Sequence, residues 1–457
     1  MDRHQTDVCI VGAGFAGLAA ARRLVEGGAR VVVLEARDRV GGRTWNRKMP
    51  DGLSVSVGGT WLGVGQDRMF LLAKEVGVDT YEQYSHGDRL LRVDGTTVRY
   101  NESKLPKKYL AGLSSYALAV RRLSRMADRL PSERPWAVAD ADALDSRTLA
   151  DWLGSRLNVP SNLGRELTAM AMRVLFCTDP AELSVLGALV LARGGHGSGR
   201  GFEYYTDSAL TETHLLDGDP PAVADRIAAS LGDAVHLSQP VRAITHDDHG
   251  VEVHTDDLVV AAGRVIVATP PALAARIVFE PGLPPTHRHL LMRMVPGAAI
   301  RVITTYDEPF WREDGLCGES ADPRSPVVIT IDQCPRSGSP GVLSSYAFGP
   351  PALRIGALPP AERRAAWLAA LVDRFGPAAG QPTGYLETDW SAEAWSLGGM
   401  ISHFSPGTLT TYGTALRAPV GRIHWAGAER ATEMHGLIEG AVRSGERAAD
   451  EVSRSES

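Results

Sequence analysis

VCIVGAGFAGLAAARRLVEGGARVVVLEARDRVGGRT, residues 8–44, is the stretch on which the reading of this chain turns. Val8 to Val11 form a short apolar run that stops at Gly12. Leu18, Ala21, Leu24 and Val25 then recur at helical spacing, and Arg30 to Leu34 form a second apolar run. The pattern predicts strand, turn, helix, strand. Gly12-Ala13-Gly14-Phe15-Ala16-Gly17 occupies the turn, and each glycine has a separate task. Gly12 permits the tight bend, Gly14 lets the backbone approach a pyrophosphate, and Gly17 lets helix and strand pack closely. The helix N-terminus offers free N–H groups and partial positive charge to phosphates. Glu35 closes the second strand about 20 residues on, where an acceptor-only carboxylate suits ribose hydroxyls. The stretch predicts a dinucleotide-binding βαβ unit.

The continuation Glu35-Ala36-Arg37-Asp38-Arg39-Val40-Gly41-Gly42-Arg43-Thr44 resembles the LEAxxRxGGR signature of the FAD-dependent amine oxidases. Val57-Gly58-Gly59-Thr60-Trp61 is similar to the family's turn beside the flavin, and Val241 falls where the family contacts adenine through its main chain. Val265 to Pro271 is similar to the strand and double proline leading out of the nucleotide unit. Trp425-Ala426-Gly427-Ala428-Glu429 with Gly436-Leu437-Ile438-Glu439-Gly440-Ala441 resembles the C-terminal signature. The chain is identified as a member of the flavin-containing amine oxidase family, monoamine-oxidase-like branch. The resemblance implies a Rossmann-type FAD-binding domain of the glutathione-reductase kind, α/β in class, interleaved with an α+β substrate domain of mixed sheet and helices. It implies that Arg43 faces the phosphates and flavin, that Glu429 bonds the ribityl and pyrophosphate region, and that a helix starting at Ile438 aims its N-terminus at the flavin. It also implies hydride transfer from a carbon next to nitrogen to flavin N5, giving an imine and, with O2, hydrogen peroxide. A small amine, amino acid or amide-like metabolite is the expected substrate. A flavin desaturase acting on C–C bonds is the alternative, and a scaffold that keeps FAD structurally is a third.

Three departures qualify the resemblance. Where the family carries a lysine near N5, counting back from Pro309-Phe310-Trp311 gives Arg301, which stays charged and cannot serve as a base. It is expected to place water, stabilise flavin charge, bind a substrate carboxylate, or turn into a core ion pair. The cysteine that tethers flavin in the membrane enzymes is absent: Gly398-Gly399-Met400 stands there, so FAD is expected to be non-covalent. The two tyrosines of the amine cage correspond to Met400 and Leu437, with Trp395 a replacement for part of the cage or ordinary core. His403 and His435 are candidates for a base or a water-orienting group. Arg173 and Phe176 are candidates for the pocket lining.

At 457 residues the chain exceeds one simple core, and two interlocked domains are expected. The nucleotide domain is assigned to 1–84, 213–296 and 389–457, and the substrate domain to 85–212 and 297–388. Residues 110–130 read as an amphipathic helix, 131–145 as an irregular connection, and 194–201 as a flexible loop near solvent or a site entrance. A net charge of −6 leaves no footprint for nucleic acid or anionic membrane. No run of about 18 apolar residues occurs. Cys9, Cys177, Cys317 and Cys334 are scattered, which fits neither a disulfide framework nor a metal site and suits the cytoplasm. A homodimer is a candidate assembly.

Overall fold

Strand Asp2–Val11 sits at the centre of the first sheet, parallel to Val31–Leu34 on one side and to Leu258–Val267 on the other. Its residues from Val8 to Val11 are buried on both faces, as a strand between two covered layers must be. The computed structural model describes residues 2–101, 103–195 and 201–454. Among them, strands from 235–236, 243–246, 251–254, 278–280 and 423–425 complete this sheet, so segments far apart in sequence share one surface. Helix Phe15–Glu26 lies against it and packs on the C-terminal helix Ile438–Arg454. Two glycines make those approaches possible. A Cβ on Gly17 would lie 1.9 Å from the Gly12 carbonyl oxygen, and one on Gly445 would lie 2.0 Å from that of Ala16. Val442, Ala448, Ala449 and Val452 then close one core with Phe15, Leu18 and Ala19.

A second sheet runs Gly384–Asp389, Ala299–Tyr306, Gly341–Phe348, Ile329–Asp332, Leu316–Ala321, Asp88–Val93, Thr96–Tyr100. In it Arg301 stands opposite Tyr346 on one neighbour and Thr388 on the other. Helices Leu110–Ala127, Asn162–Phe176 and Val185–Gly194 form a separate layer around their own core. The connection 131–145 is more regular than its Pro- and charge-rich composition suggests. It holds a helical turn at Pro135–Ala137 and a short helix at Ala141–Asp145. The buried Asp145 carboxylate accepts from the Thr410 N–H and hydroxyl (2.8 and 3.0 Å), which ties the segment down. Of the entrance loop read at 194–201, residues 196–200 lie outside the described part. Among the described residues no helix is long and apolar enough to cross a membrane.

Candidate active site

One cavity of about 510 Å³ runs from the Gly12 turn to the face of the second sheet. At its nucleotide end helix Phe15–Glu26 begins at Gly14 with no side-chain cap and no acid in its first turn. The exposed amides and the positive helix end therefore remain available to an anion. The Gly41-Gly42 turn lies directly across: a Cβ on Gly42, at φ +61°, would meet the Gly14 Cα at 3.2 Å. Arg39 fixes that turn by donating to the carbonyls of Val40, Gly42 and Thr44 at 3.0–3.1 Å. Glu35 accepts from the Ala13 N–H (2.7 Å) and the Arg37 N–H (3.0 Å), leaving half its lone-pair sites for ribose hydroxyls. The cradle fits an FAD: uncapped amides face the pyrophosphate position, and the glycines leave room for it.

Most residues named from the sequence line this cavity. Gly12, Gly14, Phe15, Ala16, Glu35, Ala36, Arg37, Gly41, Gly42, Arg43, Thr44, Gly58, Gly59, Thr60, Trp61, Val241, Arg301, Trp395, Met400, Gly427, Gly436, Leu437 and Ile438 all do so. Gly17 and Glu429 do not. Gly17 lies behind the turn, packed against the Gly12 carbonyl, and Glu429 is paired with Arg43. The Arg43 guanidinium grips the Glu429 carboxylate with two bonds (2.6 and 2.9 Å) and donates to the Met400 carbonyl at 2.8 Å, while Ser402 N–H supplies Glu429 with a third donor at 3.2 Å. Burial opposes both charges, but the pairing outweighs it: the Arg43 pKa is raised and the Glu429 pKa lowered.

Arg301 is 2% exposed and points into the cavity between two rings, its Cζ 5.2 Å from the centre of Trp61 and 5.0 Å from that of Tyr346. Its Nε donates to Ser344 Oγ (2.8 Å), Nη1 to the Gly58 carbonyl and Thr60 Oγ1 (2.9 Å), and Nη2 to Gln333 Oε1 (2.6 Å). Four of its five N–H groups are thus taken by neutral acceptors. The core ion pair considered for it is absent among the described residues. Burial lowers its pKa, with Tyr346, Asp219 and Glu212 opposing.

Several expectations are corrected here. Trp395 stacks near Arg242 (6.0 Å), beside Val241, and Ser396 accepts from Arg37 at 2.8 Å. The chain then reverses at Leu397 and Gly398, both at positive φ, before reaching Met400. Trp395 therefore belongs to the Glu35 end and not to the amine cage. His403 and His435 do not line the cavity. Burial pushes both to about 4, so they are neutral core groups, with His435 8 residues from Gly427 in sequence yet packed beside Phe404. Arg173 turns toward Asp179 (3.9 Å) and Phe176 into the helical core, while Val174 and Leu175 between them face the cavity. The wall that sequence reading missed comes from Glu212, Ile329, Ile331, Tyr346 and Phe348. Tyr346 and Phe348 stack with centroids 5.5 Å apart and planes at 11°.

A profile of the flavin-containing amine oxidoreductases matches residues 15–453. The chain belongs to that family. It is 34% identical over 453 residues to an L-amino acid dehydrogenase of Synechocystis (98% of this chain, 94% of the relative). With a putrescine oxidase of Kocuria rosea it shares 35% over 469 residues, covering 98% and 95%. The solved structure of a wild-type putrescine oxidase bound to putrescine superposes with a TM-score of 0.94 at 32% identity, over 99% of this chain and 100% of that one. Cyclohexylamine oxidase from Brevibacterium oxydans gives 0.93 at 32%, over 99% of each. The protein is a flavin-dependent amine oxidoreductase with FAD as its cofactor, and Gly399-Met400 offers that flavin no cysteine for a covalent tether. The comparisons do not favour C–C desaturation.

Proposed function

We propose that the chain oxidises the C–N bond of a small amine without a carboxylate, with Arg301 as a positioning residue for the flavin-side turn. The observation that carries this is the saturation of Arg301 by Gly58, Thr60, Ser344 and Gln333: one remaining N–H cannot form the two-pronged clamp that recognises a carboxylate. Bound FAD supplies a two-electron sink that accepts a hydride equivalent from the α-carbon. Per amine, one O2 becomes one H2O2, and water releases the nitrogen and a carbonyl compound. The protein's part is to hold the amine neutral and still. Leu437, Tyr346, Phe348 and Ile331 present apolar and aromatic surface that disfavours the ammonium form. Arg301 fixes the Gly58 carbonyl and Thr60, and so the turn on which the flavin would rest. The residues 12–61, 241 and 427–438 named above would hold the cofactor.

This reading keeps the division into a nucleotide unit (1–84, 213–296, 389–457) and a substrate unit (85–212, 297–388), with the amine entering at their junction. It also keeps a cytoplasmic homodimer, which sedimentation of the holoenzyme tests. The functional test is product analysis under air with neutral amines and amino acids. Wild type is expected to give peroxide and carbonyl product in equal amounts from amines. Arg301→Ala and Arg301→Lys are expected to slow amines and amino acids alike, because neither restores the four bonds. A KM increase confined to amino acids would overturn the positioning role and make Arg301 a carboxylate anchor.

A further inference from the structure

We propose that the Glu212 carboxylate holds a second cationic nitrogen of the substrate, so that the preferred amines are short diamines. The inference rests on the oxidase reading above and adds a substrate class to it. Glu212 follows the short helix Ser208–Thr211 and precedes strand His214–Leu216. Its backbone is held firmly. The Leu62 and His214 main chains bond each other, Thr213 N–H donates to the Leu62 carbonyl (3.0 Å), and Val64 N–H donates to the Leu210 carbonyl (2.8 Å). Gly63 presses so closely that a Cβ there would lie 2.2 Å from the Leu210 oxygen. This clamp places Glu212 in the cavity wall together with Thr211, on the side where Arg301 and Tyr346 stand.

Four fully buried acids of the chain are answered by donors. Glu35 has two amides, Glu429 has Arg43, Asp332 has Arg312 and Trp311, and Glu439 has the Arg68 and Met69 amides. The Glu212 carboxylate has no hydrogen-bond or ion-pair partner among the described residues. A carboxylate left open inside a largely apolar cavity is costly, and a ligand that donates to it recovers the cost. The neighbours select a cation. Glu319 lies close enough to be felt, but is already held by Arg89 (2.8 Å) and Ser208 (2.9 Å). Arg301 is spent on neutral acceptors. Burial and Glu319 push the Glu212 pKa up to about 8 against the pull of Arg301 and Arg89, and an ammonium group beside it would favour the charged form. A substrate carboxylate would meet repulsion from the same two acids.

The test compares steady-state kcat/KM of the holoenzyme for α,ω-diamines of three to six carbons with n-alkylamines having the same number of heavy atoms, so that only a terminal ammonium replaces a methyl group. Wild type is expected to prefer the diamine of fitting length. Glu212→Gln, nearly isosteric, is expected to lower kcat/KM for that diamine roughly 30-fold through KM while changing the monoamine by less than about threefold. Glu212→Leu should reverse the preference. An unchanged diamine-to-monoamine ratio overturns the inference and leaves the oxidase reading intact. Equal loss of kcat on both substrates also overturns it, because Glu212 would then act on the reacting nitrogen. A wild type that oxidises neither series overturns the oxidase reading, and the inference with it.

Discussion

The two ends of the cavity treat their charges in opposite ways. At the nucleotide end each charged group is answered inside the protein: Glu35 by the Ala13 and Arg37 amides, Arg43 by Glu429, Arg39 by three carbonyls. At the amine end Arg301 meets only neutral acceptors and Glu212 meets none among the described residues. The first arrangement suits a ligand of fixed shape, since the turn is finished before the ligand arrives and leaves backbone amides and the remaining Glu35 lone pairs to greet it. The second leaves polar groups to be completed by whichever small molecule enters. Rigid self-satisfaction holds a cofactor, and incomplete satisfaction selects a substrate.

That contrast can be broken most severely at Gly17. Gly17→Val places a Cβ against backbone that cannot move aside, so a loss above about 4 kcal/mol and a preparation without bound flavin are expected. The ratio of flavin to protein absorbance reads this directly. Next is Glu429→Gln, which strands Arg43 in a site where Glu429 is 1% exposed; about 3–5 kcal/mol is expected in chemical denaturation. Because the folded Glu429 pKa is lowered, the wild-type advantage is complete above its unfolded value of 4.5 and fades as pH falls through the folded one. The variant should lack that acid-side slope.

His403 sharpens the contrast between paired and unpaired groups within the core. Its Nδ1 has no partner among the described residues, and burial lowers its pKa from 6.5 to about 4. The unfolded chain therefore takes up a proton that the folded one refuses. Stability is intact above 6.5 and drops by about 3 kcal/mol as pH falls toward 4. His403→Leu should flatten the Tm-versus-pH curve over that window. Leu437→Tyr carries the smallest expected effect: restoring one ring of an amine cage should shift kcat/KM between small and bulky monoamines by only a few-fold.

The nucleotide end was legible because its constraints are local. Gly12, Gly14 and Gly17 lie within six residues, and each has a reason set by its immediate backbone. Glu429 was legible as a motif but its pairing was not, since its partner Arg43 lies at the other end of the chain. The amine end was mostly hidden. Gly341–Phe348 is buried at all eight positions, so alternation could not say that Tyr346 and Phe348 face the cavity. Glu212 sits in a stretch without periodicity, and nothing nearby announces that its carboxylate is left open. Trp395 misled because it stands only five residues before Met400, whereas the reversal at Leu397 and Gly398 separates them. Arg173 and Phe176 missed by one position, since on a helix only the intervening Val174 and Leu175 face inward.

The most direct measurement is anaerobic mixing of the flavin-loaded enzyme with amines, following the oxidised-flavin absorbance. Bleaching that saturates with amine concentration, and that reverses on admitting air with one peroxide formed per amine consumed, is the result expected. A flavin that dithionite reduces but no amine bleaches would contradict the account.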